Sequence, residues 1–528
     1  MDKLGAVDQL FYKADQYEVT SMIMCGVSIL EPARPARILD PQVLADHLAA
    51  RLQNIPLLRK KFIQDPLRIG TVRKVEDPEF DIWDHIVLTT LPRPGGYAEL
   101  SHHLGELSAE PLTPEQLWRW IVVDGLEDGR VAVVSKIHHA LADGVGVVEV
   151  LSSLFDESPV KPEKPSTSFA LGAEEPTSYA LLGDALAEST NRLLVKTPRF
   201  FLEKTGPLLT ALGQGAWELL ANRDNPDAKA EPPEVQLTSL NVRESSSTRT
   251  ISYKTLSLPE IKALARQFSC KVNDVGLLLY SYAMQHYFDS IGEKVDFDLW
   301  CAMPISTRSE SSSKGGNQVT NARLNLHNTI ADVCERLQAI SLDSAEAKSA
   351  ARPEEPLVEF QEVVDLLFPP VFDGLMYLMN RFKLMEKAND GYIYTNALMS
   401  NVPGPPHTVY IADAEVVENI PMIPVIDLIG VSGGFVSGGQ SITLGFHCQG
   451  DAVKDPELFV EGVELGLEAL RKAKPANSEV RKRKPVGKKK ATSKKAIPKK
   501  ATPKKAALKK AQPKRVPAGK AAAERART

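Results

Sequence analysis

A five-residue repeat near the carboxyl end limits which part of the chain can fold. Residues 489–513 read KKATS, KKAIP, KKATP, KKAAL and KKAQP, so lysine pairs recur at regular intervals with interspersed proline. Proline interrupts helices and strands, and positive charges at this density repel one another, so the segment cannot assemble an apolar core. We therefore predict that residues 476–528 form a disordered tail and that the fold is built from the residues before it.

The tail also separates the charges of the chain. Residues 481–528 carry 20 lysine and arginine residues and one acid, Glu524, whereas the whole chain has a formal net charge of -4. A lysine-rich tail binds polyanions non-specifically through release of counterions, whether they are nucleic acids or anionic lipid headgroups. It lacks aromatic side chains on which bases could stack. A solvated tail without a dedicated partner is the alternative interpretation.

The cysteines and the start of the chain favour a cytoplasmic protein. The start, MDKLGAVDQLFYKADQY, does not have the basic and apolar regions of a signal peptide, and no apolar run is long enough to cross a bilayer. Any membrane contact is then expected to be peripheral. The cysteines are odd in number and never spaced C-x-x-C, which argues against a disulfide framework and a zinc site. They are Cys25, Cys270, Cys301, Cys334 and Cys448.

Length and apolar patterning predict an α/β protein with two domains. A chain of 528 residues exceeds the size at which a single core stops growing. We expect an amino-terminal domain over residues 1–155, a linker and helical connector over 156–246, a second α/β domain over 247–475, and the tail over 476–528. The apolar spacing of the connector fits a helix packed between the domains or, alternatively, a surface that lies on lipid.

Three local predictions place elements within these domains. The runs LWRWIVVDGL and GRVAVVSKIHH, joined by a glycine-containing turn, predict a β-hairpin, and residues 45–62 have the spacing of a helix. Ser257 with Glu260 three residues later predicts a helix cap. A further helix is expected to begin at Asn273 as its cap residue.

The stretch KIHHALADGVG contains the strongest candidate for a catalytic group. A strand delivers His138 and His139 to its end, where the period of two places them on opposite faces, and a tight turn with Asp143 and Gly144 follows. A histidine at a strand end facing a cleft is suited to act as a general base. The pair His102-His103 lacks the Asp-Gly that follows and is predicted to be structural or solvent-facing.

A second motif suggests a different chemistry. Residues 430–434 satisfy G-x-S-x-G, the nucleophile elbow of esterases, with Ser432 in the position of the nucleophile. An elbow requires a helix after the serine, whereas FVSGGQSITLGF continues as a glycine-broken strand. The hydrolase interpretation is therefore weak, and loss of activity in Ser432→Ala would be expected only if it were right.

The histidine motif carries a resemblance to a known superfamily. HHALADG matches the HHxxxDG motif of the CoA-dependent acyltransferases, and the remaining blocks resemble the bacterial wax ester synthase/acyl-CoA:diacylglycerol acyltransferase family over residues 4–472. The blocks are LGAVDQLFY, FDIWDHIVLTTLPRPGGYAEL, LWRWIVVDGLEDGRVAVVSKIHHALADGVG, NDVGLLL, MPISTR, GNQVTNARLNL and SNVPGPP, all in family order.

This resemblance implies a fold and a mechanism. The fold would be two chloramphenicol-acetyltransferase-like α/β domains arranged as a pseudo-dimer, with a tunnel between them and His139 at its centre. His139 would be the general base, His138 would support it from behind, Asp143 would orient the loop, and Gly144 would allow the tight turn.

The resemblance also implies substrates and supporting residues. Arg308 is a candidate ion-pair partner of Asp143, and Asn401 is a candidate for the wall of the tunnel. Acyl-CoA would act as the acyl donor, and diacylglycerol or a long-chain fatty alcohol as the acceptor, with no cofactor and no metal. The protein would associate peripherally with a membrane or with lipid inclusions.

One alternative is not enzymatic. A member of this family that had lost activity could coat lipid inclusions and bind DNA or an anionic surface through its tail. The intact HHxxxDG sequence argues against that alternative.

Overall fold

Two six-stranded sheets organise the chain in a computed structural model. The structure describes residues 2–17, 21–32, 39–113, 115–141, 150, 153–166, 175–199, 235–242, 248–306, 319–350, 369–382, 395–426 and 428–475. Met1–Pro475 form one unit. The predicted disordered tail and residues 200–234 of the predicted linker and connector lie outside the described residues.

The described strands are numbered in chain order. They are β1 (Asp2–Lys3), β2 (Ile23–Pro32), β3 (Lys60–Ile63), β4 (Arg73–Glu76), β5 (Ile86–Thr90), β6 (Trp118–Asp124), β7 (Val131–His138), β8 (Arg249–Ser257), β9 (Trp300–Ser306), β10 (Val319–Asn325), β11 (Ala397–Pro403), β12 (Tyr410–Ile411), β13 (Ala414–Met422), β14 (Val431–Gly438) and β15 (Ser441–Gln449).

The described helices surround these strands. They are α1 (Ala6–Gln16), α2 (Pro41–Leu52), α3 (Tyr97–Ala109), α4 (Ser178–Asn191), α5 (Leu258–Gln267), α6 (Val272–Ile291), α7 (Val333–Ala350), α8 (Pro369–Arg381) and α9 (Glu457–Lys472). Within the described ranges, no helix combines the length and apolar character needed to cross a membrane.

The strands form two mixed sheets and one small sheet. The first large sheet has the order β12-β13-β2-β7-β6-β5, and only β5 and β6 run parallel in it. The second has the order β10-β9-β11-β14-β15-β8, with β11 parallel to both β9 and β14. Strands β1, β4 and β3 form the small sheet. This mixed α/β architecture with two large sheets confirms the predicted fold class.

Strand β7 lies in the interior of the first sheet, between β2 and β6, and both of its faces are apolar. Val131, Val133 and Ile137 belong to the core shared with α2, whereas Ala132 and Val134 belong to a second core that includes apolar residues of α3. A strand buried on both faces reads as a nearly continuous run of β-branched residues, as VAVVSKIH does. The register is therefore fixed from two sides, and the end of β7 is a rigid position for a functional group.

The two halves of the chain are connected by more than a linker. Strand β13 follows β11 in sequence but pairs with β2 of the first sheet, so part of the predicted second domain completes the first sheet. On α1, the buried Lys13 ammonium lies 3.0 Å from an oxygen of Asp373 on α8. The sequence division at residue 247 does not foresee this exchange, because the pattern within a strand does not indicate which sheet the strand joins.

The local predictions had mixed outcomes. The hairpin is confirmed as β6 and β7, and Ser257 caps α5 by accepting from the Glu260 amide. The single helix over residues 45–62 is wrong, because α2 ends at Leu52, and a short 3₁₀ turn at Pro56 leads into β3. Helix α6 also begins before Asn273, with Lys271 at the cap position.

Candidate active site

The histidine pair is fixed at the carboxyl end of β7 by its backbone. His138 is the last residue of the strand, and its amide donates to the Leu117 carbonyl at 2.8 Å. The His139 amide donates to the Met22 carbonyl at 2.9 Å. Leu117 precedes β6 and Met22 precedes β2, so the pair is held between both neighbouring strands. Its position therefore depends on the sheet rather than on a flexible loop.

The ring of His138 is used to hold the turn. Only 2% of the residue is exposed, and its Nδ1 accepts a hydrogen bond from the Ala140 amide at 3.0 Å. In the neutral ring the proton therefore resides on Nε2, which lies 3.6 Å from Oδ2 of Asp15. With one nitrogen engaged and the other buried against α1, this ring is positioned to orient the turn rather than to meet a substrate.

The ring of His139 lies in a more open position. The residue is partly exposed, and its ring meets that of Phe11 edge to face, with centroids 4.8 Å apart. An edge-to-face contact with an aromatic ring restricts the orientation of the imidazole. Of the two histidines, His139 is thus the one that a substrate hydroxyl could reach.

Both histidine rings approach α1 rather than opposite faces of the sheet. His138 lies beside Tyr12 and Asp15, and His139 lies beside Phe11. The prediction of opposite faces assumed that the strand continues through His139, whereas the strand ends at His138 and a turn begins. Sequence analysis missed the α1 residues because the helix lies more than 120 positions before the histidines.

Two lysines support the turn and its strand. Lys136 is fully buried, and its ammonium donates to the carbonyls of Leu107 and Glu110 at the carboxyl end of α3, at 2.5 and 2.7 Å. Burial lowers the pKa of Lys136. From the small sheet, Lys74 donates to the Leu141 carbonyl at 2.9 Å, just beyond the histidines. The role of Lys136 could have been suspected from the sequence, because it is a single lysine within an apolar strand.

The remaining residues of the predicted site have different outcomes. Asp143, Gly144 and Arg308 lie outside the described residues. Asn401 is exposed at β11 and donates to the side-chain oxygen of Asn273 at 3.0 Å. Its predicted role in a tunnel wall stays a prediction.

Asp274 anchors the start of α6. Oδ2 of Asp274 accepts from the Lys271 amide at 3.0 Å, which satisfies the free amide at the start of α6. The same oxygen accepts from the Ser341 hydroxyl at 2.9 Å and so connects α6 to α7. Of the pair His102-His103 on α3, the side chain of His102 is 79% exposed, whereas that of His103 is 18% exposed.

Ser432 does not occupy a nucleophile elbow. It is fully buried within β14, which turns directly into the antiparallel β15 rather than into a helix. Its hydroxyl donates to the Pro424 carbonyl at 2.9 Å. The adjacent Gly433 is explained by packing, because a Cβ atom there would lie 2.3 Å from the Tyr280 ring. The G-x-S-x-G match is therefore part of the core of the second sheet.

A third histidine connects the two halves. His447 on β15 is 5% exposed; its Nδ1 donates to the Ile423 carbonyl at 2.8 Å, and its Nε2 accepts from the Ser108 hydroxyl of α3 at 3.1 Å. Burial lowers the pKa of His447 to about 4, so the ring is neutral near pH 7. Its sequence context, GFHCQG, gave no sign of this role.

A cavity of about 450 Å³ opens at the other end of β7. It is lined by residues that include Gly96, Glu127, Arg130 and Tyr253. Arg130 precedes β7 and His138 ends it, which separates the two ends by roughly 25 Å at 3.3 Å per residue. This cavity is consequently separate from the histidine pair. Among the described residues, no cluster of potential metal ligands is found.

Comparisons with known proteins agree with this architecture. The model of the wax ester synthase/diacylglycerol acyltransferase catalytic domain matches residues 4–276, and that of the corresponding C-terminal domain matches residues 315–471. The probable diacylglycerol O-acyltransferase tgs1 of Mycobacterium tuberculosis is 26% identical over 88% of this chain and 94% of its own length.

Solved structures share the fold. The wax ester synthase/diacylglycerol acyltransferase of Marinobacter aquaeolei VT8 superposes with a TM-score of 0.61 at 20% identity, covering 89% of this chain and 99% of that one. The trichothecene 15-O-acetyltransferase TRI3 of Fusarium sporotrichioides superposes with a TM-score of 0.52 at 13% identity, covering 88% of this chain and 94% of that one.

Proposed function

The chain belongs to the wax ester synthase/diacylglycerol acyltransferase family, and from that premise we propose that it transfers a long-chain acyl group from acyl-CoA to a lipid hydroxyl. The acceptor is diacylglycerol, a long-chain fatty alcohol, or both. The products are then triacylglycerol or a wax ester, together with free CoA. The family match across both halves and the HHxxxDG sequence at the end of β7 support this proposal.

His139 acts in this proposal as the general base. Its imidazole takes the proton of the acceptor hydroxyl while the hydroxyl oxygen attacks the thioester carbonyl. The tetrahedral intermediate then collapses, the carbon–sulfur bond breaks, and the imidazolium returns the proton to the CoA thiolate. The observation that carries this assignment is the contrast within the pair, since His139 is partly exposed whereas His138 is 2% exposed.

The neighbouring groups position this base. The backbone hydrogen bonds of His138 and His139 to the neighbouring strands fix the backbone position of His139. The Phe11 ring restricts the orientation of its imidazole. Asp143 and Gly144 follow in the turn, and we assign them the orientation of the loop by resemblance to the family. Because both proposed acceptors are insoluble in water, we also propose that the protein works in the cytoplasm at a membrane or lipid-inclusion surface.

The test uses the purified full chain with a long-chain acyl-CoA and either diacylglycerol or a fatty alcohol. We expect CoA release that depends on the acceptor, and His139→Ala should reduce it by about 10²–10⁴-fold, the usual contribution of a general base. His102→Ala is the matched control, since that ring is solvent-exposed on α3, and it should retain activity. Thin-layer chromatography of the products identifies the acceptor.

Two results would contradict the proposal. CoA release that persists in His139→Ala would refute the assignment of His139 as the general base, although the protein would still be an acyltransferase. No release with either acceptor in the folded wild-type protein would instead favour the non-catalytic role of coating lipid inclusions.

A further inference from the structure

A second cavity lies between the amino-terminal strand pair and α4. Its volume is about 290 Å³, and six of the eight residues that line it are charged. Strands β1 and β4 contribute one wall, and α4 with the residues that follow it contributes the other. The charged side chains that line it are Lys3, Arg73, Arg192, Lys196, Asp184 and Glu188.

Cations outnumber acids around this cavity. The Glu188 carboxylate lies 2.9 Å from the Lys3 ammonium, 3.3 Å from the Arg73 guanidinium and 3.0 Å from the Arg192 guanidinium. Burial opposes the charge of Glu188, but hydrogen bonds from Thr71 and Lys3 outweigh it and hold the pKa of this carboxyl below its ordinary value. One carboxylate therefore serves three cations, and Asp184, the other acid, is half-exposed and lies 3.8 Å from Arg73.

The described residues use only part of the hydrogen-bonding capacity of Arg192. The residue is 6% exposed, and one guanidinium nitrogen donates to Thr71 and Glu188 at 3.2 and 3.0 Å. Its Nε and other terminal nitrogen are buried and have no hydrogen-bond partner among the described residues. A buried hydrogen-bond donor without an acceptor is energetically costly, so native structures seldom contain a buried charged donor without a partner. Because Arg192 lines the cavity, an anion bound there would lie close to its positive charge.

The backbone that carries Arg192 is itself unusual. Residues 192–196 form a π-helical turn directly after α4, and the Thr197 amide donates to the Arg192 carbonyl. Such turns are uncommon and often occur at functional sites. The turn supplies both Arg192 and Lys196 to the cavity. Between them, Leu193, Leu194 and Val195 are 53%, 72% and 55% exposed.

We propose that this cavity binds a phosphate group. Two guanidinium and two ammonium groups line it, and these are the groups that phosphate oxygens favour. The exposed apolar side chains that lie between Arg192 and Lys196 in the sequence favour a phosphate carried by an amphiphile, such as an anionic phospholipid, with its acyl chains against Leu193, Leu194 and Val195. None of the lining residues belongs to the histidine turn, so this proposal does not rest on the assignment of His139 as the general base.

Calorimetric titration of the full chain tests the proposal. The probes are inorganic phosphate, monomeric dihexanoyl phosphatidylglycerol, and CoA compared with 3′-dephospho-CoA. Sodium chloride at about 0.3 M suppresses counterion-dependent binding by the lysine-rich tail, which is identical in every variant. We expect saturable binding of at least one phosphate probe with one site per chain.

The variants locate the bound phosphate. Arg192→Gln and Lys196→Gln should each weaken binding about tenfold, as expected for loss of one charge-assisted contact. Lys196 is exposed, so its variant keeps the test decisive if Arg192→Gln does not fold. Lys294→Gln is the control, because that lysine is exposed after α6 and pairs only with Asp296 among the contacts described.

The probes distinguish which kind of molecule carries the bound phosphate. Strong binding of the phosphatidylglycerol assigns the site to a lipid headgroup, whereas a variant effect on CoA that vanishes with 3′-dephospho-CoA assigns it to the acyl donor. Binding of inorganic phosphate alone assigns it to the free anion. Absence of binding by every probe, or equal affinities of the wild type and both glutamine variants, overturns the proposal.

Discussion

The buried ammonium of Lys136 offers a direct test of how β7 is held in place. Replacement by methionine keeps a long unbranched side chain but removes the donor that serves the Leu107 and Glu110 carbonyls. The contact to Leu107 is buried, and that to Glu110 is only partly buried. The two acceptors will therefore respond differently to the loss.

The expected magnitude follows from these contacts. A buried carbonyl left without a donor costs about 1–3 kcal/mol, whereas the Glu110 carbonyl can take a hydrogen bond from water. Loss of a positive charge at the carboxyl end of α3 costs roughly 0.3–1 kcal/mol more. Burial lowers the pKa of Lys136, because the positive charge is itself unfavourable at this buried position. Removal of the charge therefore offsets part of the cost of the lost hydrogen bonds. We expect the free energy of unfolding to fall by about 2 kcal/mol.

Urea unfolding followed by tryptophan fluorescence measures this change. Trp118 and Trp120 are buried on β6, next to β7, and so report on the sheet concerned. Lys294→Met, at an exposed position, controls for the general effect of replacing lysine by methionine. A midpoint for Lys136→Met equal to or above that of the wild type would refute the reasoning, because it would mean that the carbonyls of α3 do not depend on this ammonium.

Two further predictions concern residues of the second sheet. Burial lowers the pKa of His447 to about 4, below the ordinary value of 6.5, so the unfolded state binds a proton that the folded state refuses between these values. The stabilisation is complete above pH 6.5 and should be lost as the pH falls toward 4, by about 3 kcal/mol in total at about 1.4 kcal/mol per pH unit. Unfolding curves of His447→Gln should show a shallower decline of stability over the same pH range. If stability falls as steeply with pH in this variant as in the wild type, His447 is excluded as the source of the pH dependence. Ser432→Ala should retain acyl transfer while losing about 1 kcal/mol of stability, since only the hydrogen bond to Pro424 disappears; loss of activity in a folded variant would revive the nucleophile hypothesis.

Much of the first sheet could be predicted from local sequence. The hairpin of β6 and β7 was recognisable because its strands are rich in β-branched residues and its turn contains glycine. The predicted helix over residues 45–62 failed because apolar spacing alone does not reveal where a helix ends. The chain leaves the helix after Leu52, and Pro56 then begins a 3₁₀ turn that leads into β3.

The candidate site was predictable only in part for a similar reason. The adjacent histidines stood out because two imidazoles at the end of an apolar strand are chemically unusual. Their environment did not, since Phe11, Tyr12 and Asp15 are ordinary residues of an amphipathic helix until the fold brings α1 against the end of β7. The same holds for Arg192, since only the fold shows that two of its nitrogens are buried and have no hydrogen-bond partner among the described residues.

By itself, the sequence determined what depends on residue type and short spacing. It specified a lysine-rich segment whose composition opposes a core, strands that must be buried on both faces, and a histidine pair with family resemblance at a strand end. The tertiary structure decided which of the two rings is open, that β13 completes the first sheet, and that the serine of the G-x-S-x-G match lies inside a sheet. These properties depend on contacts between segments far apart in the chain, and local periodicity carries no information about which distant segments will meet.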